Sequence, residues 1–148
     1  MAILRILTSR DPILHKKCAE VTDVSDPFIR GLILNMRDTL EKHKGIGLAA
    51  PQVGVNKRVI LVKLWREEYV LINPRLTSAS REKEMGEEGC LSLPGVFLNL
   101  ERSKKVRVKA QDQNGKKIKI KAKGLLARVL QHEIDHLEGV LIKDRIKD

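Results

Sequence analysis

Aromatic side chains are almost missing from this chain. Phe28, Trp65, Tyr69 and Phe97 are the full set in 148 residues, so a core has to be built from Leu, Ile and Val. Cysteine is nearly as scarce: Cys18 and Cys90 are the only two, which argues against a disulfide scaffold. In a reducing compartment each is a buried thiol, a nucleophile or a metal ligand. No apolar run approaches the roughly 18 residues of a membrane helix. The apolar start at Met1 to Leu4 is too short for a signal-peptide core. These absences set the expectation of a cytoplasmic protein that does not enter a membrane. Acidic residues are in deficit, 19 against 29 Lys and Arg, for a net charge of +10. Such an excess suits an anionic partner such as nucleic acid, a ribosome or an acidic surface, or serves only to keep the chain soluble.

At 42% hydrophobic and 32% charged residues, the composition is that of a globular protein, and the length fits one domain over residues 1–148. Ser25-Asp26-Pro27 reads as a helix start. Phe28, Leu32, Met36 and Leu40, with Ile29 and Ile33 beside them, then predict an amphipathic helix closed by Gly45. Strands are expected from Arg58 to Leu64 and from Tyr69 to Asn73, separated by Arg66-Glu67-Glu68.

From Arg102 to Lys123 there are ten basic residues and one acidic residue. Val106, Val108 and Ala110 alternate with Arg107 and Lys109, and Ile118, Ile120 and Ala122 with Lys119 and Lys121. This predicts a β-hairpin with one apolar and one basic face. A three-residue loop, Gln113-Asn114-Gly115, sets Val108 opposite Ile120 and keeps both faces pure, whereas a two-residue turn mixes them. The last helix runs from Leu125 to Glu138 and ends at Gly139. Two adjacent apolar stripes, one holding Leu125, Val129, His132 and His136, imply a helix buried over most of its circumference. The fold class expected is α+β: antiparallel or mixed β-sheets and a basic hairpin packed around this buried C-terminal helix, with an amphipathic helix nearer the N-terminus.

The chemistry is concentrated on the last helix. His132-Glu133-Ile134-Asp135-His136 is an H-E-x-x-H sequence. Residues four apart face the same way, so both imidazoles can reach one metal, with Glu133 close by as a base. A catalytic site needs a third protein ligand and an open position. Downstream of His136 the only carboxylates are Glu138, Asp144 and Asp148, close to the helix or at the chain end, so the ligand is sought upstream. Cys90, Cys18, His15 and His43 are the candidates. Of these, Cys90, in Glu88-Gly89-Cys90-Leu91-Ser92, fits best beside the histidine pair. In the small-residue stretch from Gly45 to Gly54, Gln52 carries the one amide suited to an oxyanion.

Three stretches together resemble the motifs of the peptide deformylase family: Gly45–Gln52 as G-x-G-φ-A-A-x-Q, Glu88–Ser92 as E-G-C-L-S, and Gln131–His136 as Q-H-E-x-D-H. The similarity runs nearly end to end, although Phe97 stands where many members carry arginine. The resemblance implies a hydrolase that removes the formyl group from N-formyl-methionyl nascent peptides. It implies one divalent metal per chain held by Cys90, His132 and His136, natively Fe2+, with Zn2+, Ni2+ or Co2+ as substitutes. It also implies Glu133 as general base and acid, Gln52 and the Leu91 backbone N–H on the oxyanion, and Gly47, Leu48, Leu125 and Val129 along the substrate. Glu88 and Arg102 resemble a supporting ion pair. Transient ribosome contact through the basic surface and a monomeric state complete the expectation. The rivals are a zinc peptidase that cuts internal peptide bonds, a non-enzymatic module that binds RNA or ribosomes with a structural metal, and a deformylase-like protein that has lost activity.

Overall fold

The helix that follows Asp26 begins with a side-chain cap: Asp26 Oδ1 accepts from the Phe28 N–H at 2.9 Å, satisfying one of the donors that a helix start leaves open. A computed structural model describes residues 2–146; Met1, Lys147 and Asp148 lie outside the described residues. Helix α1 spans Pro27–His43 and turns Ile29, Leu32, Ile33, Met36 and Leu40 inward. Phe28, placed in this stripe from its spacing, is instead 59% exposed. Steps of four residues drift by about 40° around a helix, so three such steps carry Phe28 roughly 120° from Leu40. The residue that closes α1 in the left-handed region is Lys44, with φ of 52°, not Gly45. Gly45 instead leaves room for Leu40, whose Cδ1 would lie 2.7 Å from a Cβ there and would have to shift.

A five-stranded antiparallel sheet has the order β1-β2-β3-β6-β7. Its strands are β1 (Gly47–Ala49), β2 (Val59–Leu64), β3 (Glu67–Ala79), β6 (Lys105–Gln111) and β7 (Lys117–Lys123). Between β3 and β6 the chain makes a separate antiparallel hairpin of β4 (Lys83–Cys90) and β5 (Leu93–Ser103). Strand β3 is longer than the apolar run from Tyr69 to Asn73 suggests. It begins straight after a two-residue turn at Trp65-Arg66, with Leu64 paired to Glu67. It continues past Pro74 through a register shift between Ile72 and Arg75. Strands β6 and β7 pair with Val108 opposite Ile120. The Asp112 N–H donates to the Lys116 carbonyl at 2.9 Å, and Gly115 takes φ of 83°. These are the register and the three-residue loop that purity of the two faces demands.

Helix α2 (Gly124–Leu137) packs on one face of the sheet and α1 on the other. Strand β2 therefore needs apolar residues on both sides: Ile60, Val62 and Leu64 join the α2 cluster, while Val59 and Leu61 join the α1 cluster. Each such side chain, fully buried, contributes roughly 1.5–3 kcal/mol relative to exposure. α1 does not extend over β6 and β7, whose outward residues stay in solvent.

After α2, Gly139 has φ of 75°, and a Cβ on it would lie 2.6 Å from the His15 carbonyl carbon and 2.8 Å from Lys16 N. Both partners are backbone, so nothing there can swing aside. Gly139→Ala should lower unfolding free energy by about 1–3 kcal/mol, read as a shift in the urea midpoint with an unchanged m-value.

Candidate metal centre

Two separate elements bring the chemistry together. The last turns of α2 carry His132, Glu133 and His136 on buried positions, and the end of β4 brings Cys90 to them. One ligand atom from each of Cys90, His132 and His136 lies within 4.8 Å of the others. Cys90 Sγ is 3.3 Å from His136 Nε2. His132 Nδ1 is 2.9 Å from Glu88 Oε1. Ionised Glu88 can only accept, so Nδ1 donates, and Nε2 is the ring atom that faces the cluster.

The Glu88 carboxylate is the hub of a buried ionic chain. Arg102 grips it with two bonds of 2.8 Å, from Nε and from an Nη. Arg128 adds another at 2.8 Å. The other Arg102 Nη reaches Asp135 at 2.6 Å, and Asp135 is held in turn by Arg145 at 2.6 and 3.0 Å. Burial alone would raise the Glu88 carboxyl; the Arg102 and His132 contacts outweigh it and bring it down to about 2. Burial pushes Glu133 up to about 7, against the opposing pull of His132. Burial also holds His136 well below its usual value. For His132 burial acts downward, but Glu133, Cys90 and Glu88 outweigh it and raise the group.

Gln52 lies on a 3-10 turn, Ala50–Val53. Its Oε1 accepts from the Ala49 N–H at 2.9 Å, which aims Nε2 at Ser92 Oγ (3.1 Å) and Cys90 Sγ (3.5 Å). Glu133 Oε2 is 3.9 Å from His132 Nε2. Its Oε1 is buried with no hydrogen-bond partner among the described residues. The cluster opens on a cleft of about 660 Å³ whose lining includes Gly47, Gln52, Cys90, Leu91, Leu125, Val129, His132 and Glu133. Leu48, expected along the substrate, does not line it: strand alternation turns its side chain to the opposite face, into the core under α1. Among the other ligand candidates, Cys18 is buried against the α1-distal face of the sheet with its N–H on the Leu137 carbonyl. His15 is exposed, with Nε2 on the Ser9 carbonyl. His43 is exposed at the cleft rim.

A family profile described as Polypeptide deformylase matches residues 3–148. The chain belongs to the polypeptide deformylase family. A peptide deformylase of Natranaerobius thermophilus is 48% identical over all of this chain and 95% of its own length. One of Thermodesulfovibrio yellowstonii is 50% identical over 99% of this chain and 90% of its own. The crystal structure of the Thermotoga maritima peptide deformylase superposes with a TM-score of 0.95 at 41% identity, covering 99% of both chains. That of Synechococcus elongatus, solved in complex with actinonin, gives 0.94 at 43% identity, over 98% of this chain and 79% of its own. Like its relatives, this deformylase is a metal-dependent hydrolase, and deformylation of nascent polypeptides is the family's function.

The donor set fits a metal. A thiol and two imidazoles converge at the foot of an open cleft, a combination that suits zinc, iron, nickel or cobalt better than magnesium or calcium. Several contributors to the centre are not evident in sequence. Arg128 lies one turn before His132 on the same stripe, a spacing that could have flagged it. Asp135, the acidic residue of the Q-H-E-x-D-H motif, and Arg145 extend the ionic chain, and no local spacing links either of them to Arg102. Gly47 makes room for Glu133: a Cβ there would clash with Oε2 and lie 3.0 Å from Cδ.

Arg102→Met takes from the buried Glu88 carboxylate its two-bond partner and from Asp135 one of its three bonds, and should cost about 3–5 kcal/mol in urea unfolding. Gly47→Ala displaces the Glu133 carboxylate. It should lower kcat by up to about 10²-fold while metal content and urea midpoint stay close to those of the parent protein.

Proposed function

We propose that Cys90, His132 and His136 hold one divalent ion, natively Fe2+, and that Glu133 moves the proton as the formyl group leaves N-formyl-methionyl nascent peptides. The convergence of the three donors within 4.8 Å at the foot of the cleft carries this reading. An ion bound there supplies Lewis acidity, polarising a carbonyl and acidifying water. Glu133, buried with Oε2 3.9 Å from His132 Nε2, is placed to take the proton from the attacking water and to return it. The formyl C–N bond breaks, the water oxygen stays on the departing formate, and the proton passes from Glu133 to the free amine. The Gln52 amide and the Leu91 backbone N–H donate to the oxyanion that develops at the formyl carbon.

Leu125 and Val129 give the cleft an apolar wall suited to a methionine side chain, and Gly47 lets the peptide backbone run close to β1. In this reading the protein works as a monomeric single domain in the cytoplasm. Zn2+, Ni2+ or Co2+ can replace iron, because the same donors accept them. Contact with the ribosome, where these peptides emerge, runs through the basic surface.

Formate release from a formyl-Met peptide tests the proposal, using protein purified without oxygen and its metal content read on the same sample. Activity should scale with one ion per chain. Glu133→Ala should keep the ion and lose activity by roughly 10²–10⁴-fold, while Cys90→Ala should lose both. An ion retained by Cys90→Ala removes that residue as a ligand. Cleavage of internal peptide bonds without formate release would instead favour a peptidase.

A further inference from the structure

We propose that the uncovered face of β6 and β7 binds the phosphate backbone of double-helical RNA. Register places Lys105 opposite Lys123, Arg107 opposite Lys121 and Lys109 opposite Lys119, with Lys117 opposite Gln111. On the neighbouring strand Arg75 is opposite Lys109, so Arg75, Lys109 and Lys119 stand three abreast. All eight cations are exposed. Among the described residues none of them is in an ion pair. Like charges directly opposite on a sheet destabilise the pairing.

Protection of an exposed strand edge accounts for lysines on β7, the edge of the sheet. It does not account for Arg107, Lys105 and Lys109 on β6, or Arg75 on β3, which are interior strands in the sheet order. A polyanion relieves the repulsion across all three strands at once.

The face also restricts what that polyanion is. Its outward positions hold no aromatic residue for stacking bases, so single strands lack a platform. They hold no large apolar residue for entering a lipid interface. What remains is a flat array of cations, with rows about 4.7–4.9 Å apart across strands, suited to sequence-independent contact with a duplex backbone. The choice of RNA rests on the proposed function, since newly made chains emerge from an RNA-rich particle; the phosphate contact rests on the charges alone. The basic face lies on the side of the sheet away from α2 and the metal centre, so the two activities separate.

Fluorescence anisotropy with a labelled, mixed-sequence RNA duplex, repeated across a salt series, reads the contact. For the parent protein, log affinity should fall linearly with log salt. K119E/K121E places opposite charges across from Lys109 and Arg107, so it should fold at least as well, with an equal or higher Tm. It should bind at least tenfold more weakly at low salt, with a slope shallower by about two. K16E/K17E changes net charge by the same amount at exposed positions outside this face and should leave both affinity and slope near the parent values. Formate release should be unchanged in both variants, which keeps failure here distinct from failure of the catalytic proposal. Equal weakening by the two variants, no duplex binding by the parent protein, or tighter binding to vesicles of anionic phospholipid than to the duplex would each overturn the inference.

Discussion

The Arg102 guanidinium grips Glu88 on one side and Asp135 on the other, and the metal centre depends on that grip. Glu88 lies two residues before Cys90 on β4, and Asp135 lies next to His136 on α2. One side chain thereby ties the strand that carries the sulfur to the helix that carries the imidazoles. The same Glu88 carboxylate accepts from His132 and fixes its tautomer. Buried charges are costly unless every lone pair and donor is used. Here Glu88 is shared by Arg102, Arg128 and His132, and Asp135 by Arg102 and Arg145. The network consequently has little freedom to relax, and the donors it positions inherit that rigidity.

The two faces of the large sheet have different fates, and function follows from the difference. α2 covers one face along β1, β2, β3, β6 and β7, and places the metal donors near β1. On the other face, α1 covers the β1 to β3 part and leaves β6 and β7 to solvent. The alternation that supplies apolar residues to the α2 core necessarily directs the intervening lysines and arginines outward. A strand period of two thus serves a buried helix that carries two of the three converging donors and an exposed cationic array with the same stretch of chain.

Where structure is governed by local periodicity, the sequence was legible. The spacing of His132 and His136 depends only on the helical turn, and the Val108–Ile120 register depends only on keeping apolar residues on one face. The β4–β5 hairpin was not legible. Its residues Lys83–Ser103 are charged, glycine-containing and largely exposed, so they carry little of the alternation that marks a half-buried strand. Gly89 could be recognised as a close-approach point, but not that the Phe97 ring is what lies over it, 2.8 Å from where a Cβ would be. The exposure of Phe28 and the burial of the Leu48 side chain under α1 were likewise decided by neighbours distant in the chain.

Residue order alone specifies the chemistry available: a thiol and paired histidines with a glutamate between them, an amide at Gln52, and a basic hairpin whose register follows from its own pattern. These are local properties, set by residue type and by the turns of a helix or the alternation of a strand. That Cys90 meets the histidines, that Glu88 orients one of them, and that Gly47 leaves space for Glu133 are outcomes of long-range packing. Those outcomes depend on contacts between residues tens of positions apart. They are settled by how β4, β1 and α2 pack, because side chains that share no local period have no relation until the core closes around them.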